Sequence, residues 1–501
     1  MMSMMKTNCL KEYDRIVRSV MLGMILLAIT SCSPDGGTKP TGYGAVTGTV
    51  RTFSGSATSG LLQPIATVRI TGGGFDSTTS TDVNGIYFME DVPARTVTVS
   101  ASLSDCMAGS RSGVVVLKND TVTADVTLEF QAGNDTIPLP GSGPAKMELV
   151  SDGHRAILLY DVSEASPGVP SLVSVDLTTG ASSRTEFTDL DQVFDMKRVG
   201  DNLVIFNYLS PAGFGLRFVN LNSMAAAGGD VLYDTNVTGF TDPIVLGHIV
   251  LDNTAEHVFV AHALQPPYFV GKVYAVSVAD RRLIDADNNP DDGNPAFDAL
   301  LVRNSIGWAY SIAYDDVRHE ILVGNRDDAG FVTAIAWEKW GTFDRAAHLT
   351  LPTPGVRTVS LGAQLPPFQA WFLDFAGGTG IALWPQYTVA LLLRSGASAA
   401  DLTYTDATVT MTSDSHFLTI IPSRQSWFTL FADFTEWDET KRQIAVEERS
   451  WSTLRRIYRY ESHHFNLPDK GLPRSFAVDA AGKKLYVAYS NRPVIEVFCL
   501  P

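Results

Sequence analysis

The sequence lacks the marks of several protein classes. It has no excess of basic residues: 38 Lys and Arg stand against 54 Asp and Glu, a formal net charge of -16. Nucleic acid and anionic lipid surfaces both demand a basic face, so neither is expected as the main partner. No C-x-x-C-H haem attachment, no H-E-x-x-H zinc motif and no nucleophile elbow occurs. The nine histidines are scattered, and the two close pairs do not suit a shared metal. His257 and His262 are five apart in "HVFVAH", which in a strand places them on opposite faces, and the adjacent His463 and His464 are split likewise. Cysteines number four. Cys106 and Cys499 could pair outside the cytoplasm but read by default as small buried hydrophobes. The apolar run at residues 20–30 falls short of the roughly 20 residues that a membrane-spanning helix needs.

What is present begins with that run. Its length is that of a signal peptide, and Lys6, Lys11, Arg15 and Arg18 precede it, set against Glu12 and Asp14. It ends in "LLAITSCSPDGG", where Ile29, Thr30, Ser31 and Cys32 resemble the bacterial lipobox. The resemblance implies removal of residues 1–31, lipidation of Cys32 and a tether over 32–43. Ser33 in place of Asp implies the outer membrane. Losing four basic and two acidic side chains takes the formal charge from -16 to -18. Several acyl chains give stable anchoring where one is marginal.

The mature composition is that of a globular chain, with 45% hydrophobic and 18% charged residues and length enough for two or more cores. Residues 44–130 alternate polar and apolar in short segments separated by Gly, Asp and Asn, the pattern of half-buried strands in a small β-sandwich. Asn84 and Gly85 are placed for a tight turn, with Tyr87 and Phe88 on opposite faces of the next strand. "TGTV", "PIATVRI" and "TDVNGIYFMEDVP" resemble the carboxypeptidase regulatory-like, or transthyretin-like, domain, although Ala94, Arg95 and Val97 depart from its Gly and Tyr pattern. The resemblance implies a spacer or adhesion module without peptidase chemistry.

Residues 131–144 read as a linker. Beyond them one unit recurs, an apolar strand, a turn holding Asp or Gly, and a second apolar strand. With Asp152, Asp201, Asp252, Asp315, Asp374, Asp414 and Asp479 as markers, the intervals are 49, 51, 63, 59, 40 and 65 residues. Such periods suit four-stranded propeller blades with loop insertions, about seven of them over 145–501. "LYVAYSN" followed by "VIEVFCL" resembles the YVTN-type propeller repeat, and after it the chain has no room for a fourth strand in that blade. Residues 136–139 either supply that strand or remain linker. The fold class is therefore all-β, a small sandwich followed by a propeller.

Two further features bear on function. All eight tryptophans fall within residues 308–451, most of them expected to pack in blade interiors. Trp437 and Trp451 bracket the charged stretch "DETKRQIAVEERS", either a solvated outer hairpin or the first place to look for an interaction face. "DADNNPDDGNPAFD" carries Asp285, Asp287, Asp291 and Asp292 in a Gly- and Pro-bent loop of the kind that can hold a structural Ca²⁺, the alternative being a solvated acidic loop. Pro290 and the missing closing Glu exclude an EF-hand. The expectation is a lipid-anchored envelope protein that presents its propeller to a protein or glycan. The alternative is an extracytoplasmic propeller enzyme, lactonase-like or quinoprotein-like, acting on a small molecule.

Overall fold

The computed structural model describes residues 42–52, 66–103, 107–130, 136–141, 143–151, 153–161, 168–234, 247–263, 271–287, 300–302, 309–325, 331–343, 354–360, 372–384, 389–395, 402–408, 418–432, 444–451, 456–461, 473–479, 483–489 and 492–500. Among these no α-helix occurs, and the chain divides into two compact units. The lipobox with Cys32, and Cys106, lie outside the described residues.

The first unit holds β1 (Tyr43–Thr52), β2 (Thr67–Gly72), β3 (Phe75–Ser80), β4 (Ile86–Pro93), β5 (Thr96–Leu103), β6 (Met107–Val115), β7 (Thr121–Thr123) and β8 (Val126–Phe130). They form one continuous sheet in the order β3-β2-β5-β6-β8-β1-β4, with β7 parallel to β1. The sheet folds over so that its end strands β3 and β4 lie against each other, which makes the sandwich barrel-like. The alternation read from the sequence fixes the inner face: Val46, Val50, Val68, Ile70, Val97, Val99 and Leu128 are all buried. Tyr87 is buried and Phe88 is 50% exposed, the opposite facing that the pattern requires. Gly85 takes the left-handed conformation (φ 68°) that a side chain resists, and Asp82 accepts the N–H groups of Asn84 and Ile86 to close the turn. Gly48 has a different reason to be glycine, since a Cβ there would meet the Ala124 carbonyl oxygen at 2.3 Å.

The second unit is a β-propeller of seven sheets, spanning 146–186, 192–234, 247–302, 309–360, 372–408, 418–461 and 473–499, here blades 1 to 7. Blades 1 to 6 run antiparallel in chain order from an inner to an outer strand, and blades 2 and 3 have a broken outer strand. Of the two readings left open for residues 136–139, the strand is the one observed. β9 (Thr136–Pro138) pairs antiparallel with Val494–Cys499 as the fourth strand of blade 7. That pairing covers an edge that would otherwise be exposed.

Blade strands look uniformly apolar because both faces are covered. In Arg155–Tyr160 of blade 1, Ala156, Leu158 and Tyr160 pack toward blade 7 while Ile157 and Leu159 pack toward blade 2. Equivalent clusters join blades 2 to 3, 3 to 4 and 6 to 7. At roughly 25 cal/mol per Å² of buried apolar surface, these inter-blade layers are the main source of stability.

The marker aspartates divide by role. Asp252, Asp315 and Asp479 close hairpins by accepting two backbone N–H groups each just downstream, and Asp201 accepts the Ser151 N–H. Asp374 is different, for it precedes its Gly377–Gly378 turn and faces the centre of the ring. Asp152 and Asp414 lie outside the described residues. Cys499 is buried and disulfide-bonded, in place of the free thiol expected by default.

Candidate functional site in the propeller channel

Seven inner strands, Lys146–Leu149, Gln192–Val199, Gly247–Leu251, Ala309–Asp315, Phe372–Ala376, Leu418–Ile421 and Pro473–Val478, surround one central cavity of about 430 Å³. Strand periodicity decides what reaches it. In Lys146–Leu149, Met147 and Leu149 are buried in the blade core, so Lys146 and Glu148 take the other face.

Blade 2 departs from simple alternation. Its inner strand carries a β-bulge between Val193 and Met196, and the disrupted ladder leaves the Asp195 N–H to the side chain of buried Asn207, at 2.7 Å. The bulge brings Asp195 and Lys197 to the same cavity. Register shifts also occur before Ser311 in blade 4 and before Ser475 in blade 7, so the inner strands of three blades share this device.

Asp195 is the most connected group. Its Oδ1 lies 3.2 Å from Lys146 Nζ and accepts the Met196 N–H at 2.9 Å, while Oδ2 accepts the Ile249 N–H of blade 3 at 3.2 Å and lies 3.5 Å from His248 Nδ1. Burial alone would raise its pKa, but Lys146 and His248 outweigh that and hold the carboxyl well below the usual carboxylate range. Asp374 repeats the staple in blade 5, its Oδ1 accepting the Phe375 N–H and its Oδ2 the Ile420 N–H of blade 6. Burial prevails there and raises the pKa against the opposing pull of Lys197, the two backbone N–H groups and Lys146. Burial works to lower the Lys197 pKa, yet Glu148, Asp195 and Asp374 together raise it. The channel thus holds a compensated network of lysines and carboxylates.

The site residues expected from sequence lie elsewhere or outside the described residues. Asp285 and Asp287 open the acidic loop, where the Asp285 carboxylate accepts the Asp287 N–H and the Ala286 carbonyl accepts the N–H groups of Gly341 and Phe343. Asp291 and Asp292 are outside the described residues. Among the described residues no group of three or more His, Cys, Asp or Glu is placed to hold a metal. Trp437 is also outside them, and Trp451 is half-buried, its indole ring near Gly377 of blade 5. Trp427 is fully buried, and Trp340 is buried with its indole N–H bonded to the Ile284 carbonyl. The two histidines of "HVFVAH" do separate: His257 bonds Asp252 at 2.7 Å, and His262 is wholly buried.

Of the channel residues only Asp374 is marked in the sequence, and there as a turn residue of the repeat. One signal existed: "VFDM" at 193–196 and "FLDF" at 372–375 share an Asp between apolar residues on an inner strand, and both aspartates bridge to the next blade.

No protein-family model matches the chain, and no curated protein matches it. Among solved structures, Raptor from Chaetomium thermophilum is similar with a TM-score of 0.51 at 12% identity, covering 74% of this chain and 29% of that one. The likeness is one of fold.

Proposed function

We propose that this protein is a lipid-anchored cell-envelope scaffold that presents its propeller to a protein or glycan partner. The observation that supports it most is the ring itself. Seven blades packed through apolar layers and closed by β9 make a rigid body whose broad surfaces need no rearrangement to bind. The anchor half of the reading comes from the lipobox-like residues ending in Cys32 and from the polar tether behind it.

The enzyme reading draws on one observation, the convergence of lysines, carboxylates and His248 on the channel. Those groups largely neutralise one another, and both oxygens of Asp374 accept backbone N–H groups, which suits binding and ring cohesion better than proton transfer.

Two experiments test the proposal. Cys32→Ala should leave a folded protein that no longer partitions into the membrane fraction, because both units lie well beyond the tether; unchanged membrane association would refute the anchor. Affinity purification of the tagged lipoprotein from solubilised envelopes should recover a stoichiometric partner or glycan. Recovery of the chain alone across detergents would refute the scaffold.

A further inference from the structure

The channel contains one loose ion pair. Lys197 Nζ of blade 2 and Glu148 Oε1 of blade 1 face each other at 3.8 Å, beyond hydrogen-bond reach, with the side chains 33% and 24% exposed. Each is the other's ion-pair partner, too far apart for a direct, well-formed hydrogen bond. An ammonium brings three donors and a carboxylate only acceptors. A hydroxyl satisfies both at once, accepting from Lys197 and donating to Glu148, and neither a pure donor nor a pure acceptor can do so.

Charge narrows the ligand further. The lining carries Lys146, Lys197 and Arg198 against Glu148, Asp195 and Asp374. These formal charges cancel, so a ligand with net charge gains little from the field and disturbs existing pairs. The charged groups come from blades 1, 2 and 5, and the lining also includes the apolar residues Ile312, Leu373, Ile420 and Phe476. A cavity of about 430 Å³ falls in the usual range for small-ligand sites, roughly 300 to 1,000 Å³.

We infer that the channel binds a small neutral polyhydroxylated molecule, a saccharide unit, through hydroxyl bridges between Lys197 and Glu148. The hydroxyls of the ring meet the charged groups, and its C–H face meets apolar side chains of the lining. This deepens the glycan half of the proposed function by naming its recognition chemistry. It fails separately from that function, because a protein partner on an outer face is untouched by a negative result here.

The test uses the full lipidated chain in a detergent without a sugar headgroup. Glucose, galactose and N-acetylglucosamine serve as neutral probes in calorimetry, with glucuronate and glucosamine as charged counterparts of the same ring. At least one neutral probe is expected to bind, its charged counterparts about tenfold or more weaker, and Lys197→Met and Glu148→Gln each to cost about tenfold in Kd. Melting curves check that each variant is folded. Acylation of the Lys197 amine by acetic anhydride, read by mass spectrometry, needs no variant and should slow when the bound sugar saturates the site. Binding by none of the neutral probes, tighter binding of a charged one, affinity unchanged in a folded variant, or no protection of Lys197 would each overturn the inference and leave a channel holding water only.

Discussion

Asp195→Asn isolates the charge of the channel network with almost no change of shape. The carboxylate touches Lys146 at 3.2 Å, His248 at 3.5 Å and two backbone N–H groups, one from its own strand and one from blade 3. Asparagine keeps one acceptor oxygen and turns the other into a donor, so either Lys146 or the Ile249 N–H then faces an N–H₂ group. Breaking a buried pair by removing one partner costs about 3 to 5 kcal/mol. Lys146 and His248 are 27% and 30% exposed to the channel, so solvent recovers part of this and the lower end, about 3 kcal/mol, applies. For a unit of this size that is a fall of about 4 °C in Tm. The pH dependence has a definite sign. The folded pKa of Asp195 lies below its unfolded value of about 3.9, so its contribution is complete above that value and disappears as pH falls through the lowered folded pKa. Urea unfolding should therefore show a constant gap between the two proteins from about pH 7 to about pH 5, and a shrinking gap below about pH 4. An Asp195→Asn protein as stable as the parent at neutral pH, or a gap that persists undiminished in acid, would refute the reasoning.

Two other predictions concern the propeller. His262 is fully buried among Phe214, Tyr233 and Tyr274, among the described residues neither ring nitrogen has a hydrogen bond, and Asp234 Oδ2 is 3.9 Å away. His262→Phe should raise stability by about 1 to 2 kcal/mol at pH 7. Burial pushes the His262 pKa down to about 4 against Asp234, so the parent should lose stability as pH falls from about 6.5 to about 4 while the variant does not; urea titrations at both ends measure this. Ile137, buried in β9 against blades 7 and 1, closes the ring, and Ile137→Ala should cost about 2 to 3 kcal/mol. Amide exchange across 494–496 should quicken more than in other blades, and uniform exchange would show that β9 is not the closure.

How much was legible follows from the range of the physics involved. Gly85 announces its turn because only a local backbone conformation is at stake, and Tyr87 and Phe88 announce their faces because a strand alternates with period two. The aspartates of the hairpins were legible for the same reason, each folding backbone within five residues of itself. Asp374 has the same sequence appearance and a different role, since no neighbour in the chain tells whether an aspartate caps a turn or bridges two blades. The tryptophans stay open for a related reason: an indole suits a binding face and a blade interior alike, and Trp427 is wholly interior.

By itself the sequence determined the all-β class, the sandwich, the propeller and its approximate blade number, because alternation, turn residues and repeat spacing are written in short windows. Only the tertiary structure decided that β9 closes blade 7, that a bulge turns Asp195 and Lys197 inward, and that Lys146, Glu148, His248 and Asp374 meet them. These groups come from four blades and stretch from residue 146 to residue 374. Their proximity is a consequence of ring closure, which depends on every inter-blade layer at once and so leaves no local trace in the chain.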